Sequence, residues 1–185
     1  MVTESDAALM KTRMNAARNS LKFFTDIAQV RSSNNPFNRK RVADQVTLDY
    51  YRNADRKDTI VSAFNDAART HVGNCDEKAR ICYSSLVGNP TLTGNSVATL
   101  VSAVKYDHAF VVMDHAALPA GEVGLSMLSH TAMIIDGWTE DWYFPNLSRH
   151  DALWRGLANL PNPRQLWVRK AIAAHQFTTK FIRSV

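Results

Sequence analysis

The sequence predicts an α+β fold, with a helical N-terminal part packed on a small antiparallel sheet. Two patterns predict it. Up to about residue 87, apolar residues recur at three- and four-residue steps between breakers, as in helices. Residues 108–113 and 131–136 are instead short runs rich in β-branched and other apolar side chains, as in strands. Helices first and strands after is the order of an α+β chain rather than an alternating one. With 185 residues, 45% of them hydrophobic, the chain suits a single compact domain with a real core.

The elements follow in order. Residues 5–31 read as one long helix with Ser5 as its cap. Met10, Met14, Ala17, Leu21, Phe24, Ala28 and Arg31 fall on helical steps, and Leu21, Phe24 and Ile27 form the buried stripe. The run Ser32-Ser33-Asn34-Asn35-Pro36 breaks it. Residues 1–35 thus form a helical arm, and residues 36–185 the remainder of the domain. A short helix is expected at 42–52. Another is expected at 57–71, with Gly73 as its C-terminal stop. Asn74 then caps a helix from Cys75 to about Val87, with Glu77 completing a variant capping box. Residues 96–104 fit helix or strand. Pro119, Gly121 and Gly124 make 115–129 a loop between the two strands. Further helices are expected at 148–158 and, started by Pro163, at 164–177.

Composition narrows the function. Lys plus Arg is 22 against 17 Asp plus Glu, a net charge of +5. The excess is scattered except at Arg39-Lys40-Arg41, which reads as a solvated loop. No zinc-finger, RNP or helix-turn-helix signature accompanies it, so no nucleic-acid partner is expected. No apolar run reaches the roughly 18 residues of a membrane span. The first ten residues carry Glu4 and Asp6 and no apolar signal core. The expected setting is the cytoplasm, or export by a route that needs no such signal. Cys75 and Cys82 lie seven apart on one helix, about 10 Å, too far for a disulfide. Both read as free thiols, Cys82 as an inert mid-helix one.

Cys75 is different by position. A thiol becomes a nucleophile when it ionises, and a helix N-terminus or a nearby imidazolium promotes that. Cys75 opens its helix after a tight Gly-Asn turn. His108 opens a strand and Asp136 closes the next. If these strands pair antiparallel, the start of one lies beside the end of the other. The carboxylate then orients the imidazole that serves the thiol. His71, His115 and His130 are the competing bases. A zinc site from Cys75, His108 and Asp136 lacks the close-spaced ligand pairs usual for zinc, and no cofactor is expected. Trp138 and Trp142 read first as packing groups.

Three motifs carry a resemblance: Gly73-Asn74-Cys75-Asp76-Glu77, His108-Ala109-Phe110-Val111-Val112 and Asp136-Gly137-Trp138. In this order they resemble the papain-like cysteine hydrolases, and within them the bacterial virulence branch of effector proteases and glutamine deamidases. The resemblance covers roughly residues 60–145. It implies a Cys75–His108–Asp136 triad and a protein substrate in a host or target cell, reached without a signal peptide. One departure stands out. Papain-like proteases place a side-chain amide shortly before the cysteine, and residues 68–72 hold no Gln or Asn. The expected oxyanion or substrate-binding groups are the Cys75 backbone N–H, Asn74, Gln45 and Trp138. Asp76 and Glu77 oppose ionisation of the thiol unless they point away. A non-catalytic protein-binding module and a peptidoglycan amidase are the other readings; the oligomeric state is not legible.

Overall fold

The computed structural model describes residues 3–34, 39–54, 59–89, 96–103, 105–147 and 163–184. Over these it is α+β. Helices α1 (Glu4–Lys22), α2 (Arg41–Ala54), α3 (Ile60–Thr70) and α4 (Cys75–Val87) precede the first strand. Strands β1 (Val97–Ala103), β2 (Ala109–Asp114), β3 (Glu122–Val123), β4 (Met133–Asp136) and β5 (Asp141–Tyr143) follow. Helix α5 (Pro163–Ala174) and strand β6 (Phe177–Ser184) close the chain. The six strands form one sheet in the order β3-β6-β1-β2-β4-β5, and every neighbouring pair is antiparallel.

The central strands are buried on both faces, which explains their unbroken apolar runs. On one face, Ala109, Val111, Met113, Met133 and Ile135 pack with Met10, Ala17 and Leu21 of α1 and Ile81, Cys82 and Leu86 of α4. On the other, Phe110, Val112 and Ile134 pack with Val168 and Ile172 of α5 and with Phe177. The N-terminal helix is therefore part of the main core.

Several local readings need correction. Thr3, not Ser5, caps α1. Its hydroxyl accepts the Asp6 N–H at 3.1 Å, and the Asp6 carboxylate accepts the Thr3 N–H at 2.9 Å. The long helix does not run to 31. It ends at Lys22 and continues as a π-helical turn, Phe23–Ala28, before Gln29 takes a positive φ of 48°. That turn redirects the chain so that Arg31 bridges Val72 beside the start of α4. The side chains of Phe24 and Ile27 lie outside the described residues. Helix α3 is stopped by His71 at φ 57°, not by Gly73. Gly73 answers a different demand: a Cβ there would stand 3.0 Å from the Glu77 Cβ and 3.1 Å from a Val30 methyl.

Residues 97–103 resolve as strand. The expected loop 115–129 also holds β3 and a short 3-10 turn, Leu125–Met127. The last helix stops at Ala174, and Phe177 begins β6. The helix expected at 148–158 lies outside the described residues. No helix among the described residues is long and apolar enough to cross a membrane.

Arg13 pins α1 to the sheet. It is fully buried and donates to the Ser96 hydroxyl at 2.9 Å and to the Thr131 carbonyl at 2.7 Å. Burial pushes its guanidinium down to about 10, against the pull of Asp114. Arg13→Met keeps bulk but strands those buried acceptors. It should lower unfolding free energy by about 3 kcal/mol in urea titrations; a loss near zero would show that Arg13 does not anchor the helix.

Candidate active site

The site forms where the N-terminus of α4 meets one end of the sheet. Val111 pairs with Ile135, so the residues just before β2 and at the end of β4 share that end. His108 and Asp136 meet there: His108 Nε2 lies 2.9 Å from Asp136 Oδ2. With Nε2 committed to the carboxylate, Nδ1 is the nitrogen left for the thiol. The Cys75 thiol lies close enough to the imidazole to help raise its proton affinity. The same sulfur lies 3.9 Å from the Asp107 carbonyl. Cys75, His108 and Asp136 are thus brought together in the expected order.

Asp136 is held as a carboxylate. Its other oxygen accepts the backbone N–H groups of Trp138 at 2.9 Å and Thr139 at 3.3 Å. Burial opposes its charge, yet the charge and hydrogen bond of His108, with the bonds from Thr139, keep it below the usual carboxylate range. For His108, burial likewise disfavours the cation. The charge and hydrogen bond of Asp136, aided by Cys75, overcome this and push the imidazole up to about 10. Both side chains are almost wholly buried, so this attraction is poorly screened.

The acids next to Cys75 are neutralised. Asp76 accepts Arg80 Nε at 2.8 Å, one helical turn on. Glu77 accepts Arg52 of α2 through both oxygens, at 2.8 and 2.9 Å. Glu77 also accepts the Asn74 N–H at 2.9 Å, which fixes the entry into α4. Both acids thus direct their charge onto arginines. The Asp76–Arg80 spacing is legible in the sequence. The Arg52–Glu77 pair spans 25 residues and is not.

The remaining candidates separate. Gln45 is held in a side-chain network. Its amide nitrogen donates to Asp49 at 2.7 Å, and its oxygen accepts the Ser33 hydroxyl at 2.6 Å. Ser33 Oγ also stands 2.8 Å from Asn74 Oδ1, and Ser33 and Asn34 were not anticipated near the site. One hydroxyl proton cannot serve two amide oxygens. Ser33 therefore donates to one of them, and Asn74 Oδ1 also accepts the Asn34 N–H at 3.4 Å. The Asn74 oxygen thus ties residues 33 and 34 to the start of α4, and the Cys75 backbone N–H at that helix start is an expected donor placed by the helix itself.

Trp138 stands edge-on to the His108 ring, with centroids 5.9 Å apart. Its indole N–H donates to Asn34 at 2.7 Å. It shields the histidine–aspartate pair, as a packing group does. Tyr106, also not anticipated, lies on the His108 ring at 5.7 Å.

The competing histidines are engaged elsewhere. His71 Nδ1 bonds to the Ala28 carbonyl at 2.8 Å, His115 to Asp114 at 2.9 Å and His130 to Asp6 at 3.1 Å. Cys82 is fully buried, and burial pushes its thiol up to about 12. Among the described residues no group of three His, Cys, Asp or Glu side chains is arranged to hold a metal ion.

Compared with protein-family profiles, with curated proteins and with solved structures, the chain matches none.

The folded imidazole binds its proton more tightly than the unfolded chain's ordinary 6.5. Its contribution to stability is therefore complete below that value and fades as pH rises toward about 10. The His108 ring signal in NMR titrations should show that late midpoint, and Asp136→Asn should bring it down toward the ordinary value. An unchanged midpoint in the variant would remove Asp136 as the cause.

Proposed function

We propose that this chain is a thiol-dependent hydrolase of the papain-like kind, acting on peptide or glutamine carboxamide bonds of a target protein. One observation carries the reading: a cysteine at a helix N-terminus reaches an imidazole whose far nitrogen is 2.9 Å from a buried carboxylate. The Cys75 proton rests on His108 Nδ1, and the thiolate of this ion pair attacks the amide carbon. The developing oxyanion takes the Cys75 backbone N–H. The C–N bond breaks as His108 returns the proton to the departing amine or ammonia, leaving a thioester. Water then gives a proton to His108 and attacks the thioester, which releases the acid and restores the thiolate beside the imidazolium. Asp136 holds the ring in the tautomer this needs.

A main-chain amide makes the enzyme a protease; a glutamine side chain makes it a deamidase. The motif resemblance favours an effector that acts on a protein inside a target cell. A second reading, a protein-binding module, draws support from α2. There Val42, Val46 and Tyr50 stand at four-residue steps, 71%, 65% and 66% exposed.

Mass spectrometry of target-cell lysate treated with wild type or Cys75→Ala separates these readings. New chain termini made only by the wild type mark a protease, and glutamine converted to glutamate marks a deamidase. A lysate left unaltered by the wild type, alongside intact purified peptidoglycan, favours the binding module; digestion of the peptidoglycan alone marks a wall amidase. Once a substrate is in hand, His108→Ala should lower kcat by about a thousand-fold, and a variant near wild-type rate would exclude His108 as the base.

A further inference from the structure

The hydrolysis proposed above gives no role to Lys78. Helix α4 places Cys75, Lys78 and Cys82 at three- and four-residue steps, and all three are buried. Lys78 is only 3% exposed. Burying an ammonium is costly unless other charges answer it. Its nitrogen lies 3.5 Å from Glu140, itself 45% exposed. Glu140 sits at φ 57° in the turn between Asp136 and Asp141, which pair across β4 and β5. Lys78 therefore links the nucleophile's helix to the turn that carries the orienting carboxylate. Asp136 and Lys78 also act on the buried Cys82 sulfur with opposite sign, so both charges are felt within this part of the core.

The reactive form of the site has a charge problem. Thiolate, imidazolium and carboxylate sum to one net negative charge among buried residues. The other charged groups on the elements packed around the site are already matched or exposed. Asp76 and Glu77 of α4 pair with Arg80 and Arg52. Asp141 of β5 pairs with Arg169 of α5 at 2.6 Å. Asp107, in the turn before His108, is exposed, and burial raises the phenol of Tyr106 beside it, which favours the neutral form. Lys78 is a buried cation one helical turn below the sulfur.

We propose that Lys78 is a positioning residue that balances the buried negative charge of the thiolate form and holds the Asp136 turn against α4. The inference rests on the Cys75–His108–Asp136 reading. The test is the rate of Cys75 alkylation by iodoacetamide as a function of pH, followed by peptide mass spectrometry on the full chain. Lys78→Met should move the midpoint up by about one pH unit, and so slow labelling about ten-fold below it. Glu140→Gln, which removes a competing anion, should move the midpoint down. Lys78→Arg should stay near wild type.

Opposite shifts are the signature of charge, which a purely structural lysine would not produce. An unchanged midpoint in both Lys78→Met and Glu140→Gln, or shifts in the same direction, overturns the proposal. If Lys78→Met does not fold, the exposed Glu140→Gln decides alone, and no downward shift overturns it. Should wild-type Cys75 label no faster than Cys82, the hydrolase reading itself fails; normal wild-type behaviour with unresponsive variants removes only Lys78's role.

Discussion

The buried pairing of His108 with Asp136 is the interaction on which the site depends. An imidazolium inside protein is unfavourable on its own, as is a carboxylate. Each is kept charged by the other, and Asp136 is held further by two backbone N–H groups of its own turn. This geometry follows from the antiparallel register of β2 and β4, which brings the two ends together. Helices on both faces of the sheet keep water from the pair. The packing that stabilises the fold thus also sets the proton affinity of the candidate base.

A second constraint is charge at the start of α4. Acidic residues suit a helix N-terminus, but here two of them adjoin a candidate nucleophile. The fold resolves the conflict with arginines: one from the same helix, one from α2. Arg52 gives α2 a reason to lie beside the site, and the Ser33–Asn74 contact gives one to the segment after the π-helical turn. The described N-terminal helices are therefore built around α4, which carries Cys75, as much as around the hydrophobic core.

What the sequence revealed follows the range of the interactions. The bounds of α4 were legible because Asn74, Glu77 and Gly88 are local signals. The meeting of His108 and Asp136 was legible because two short apolar runs joined by a loop pair antiparallel in the simplest topology. Strand β6 was missed, since its partner β1 lies some 80 residues earlier and its first residues extend a plausible helix; the run Phe177-Thr178-Thr179 was the available β signal. The Gly73 stop was misread because His71 adopts the left-handed conformation usual for glycine, while Gly73 yields space to Val30 and Glu77. Arg52, Ser33 and Lys78 were invisible, because their roles come from tertiary contacts with no fixed spacing.

The central claim is that His108 activates Cys75 while Cys82 remains an ordinary buried thiol. It is tested most directly by competitive iodoacetamide labelling of the two cysteines at neutral pH, in wild type and His108→Ala. The account predicts that Cys75 labels far faster in the wild type, and that most of this advantage disappears with the imidazole. Equal, slow labelling of both cysteines, or an advantage that survives the loss of His108, would contradict it.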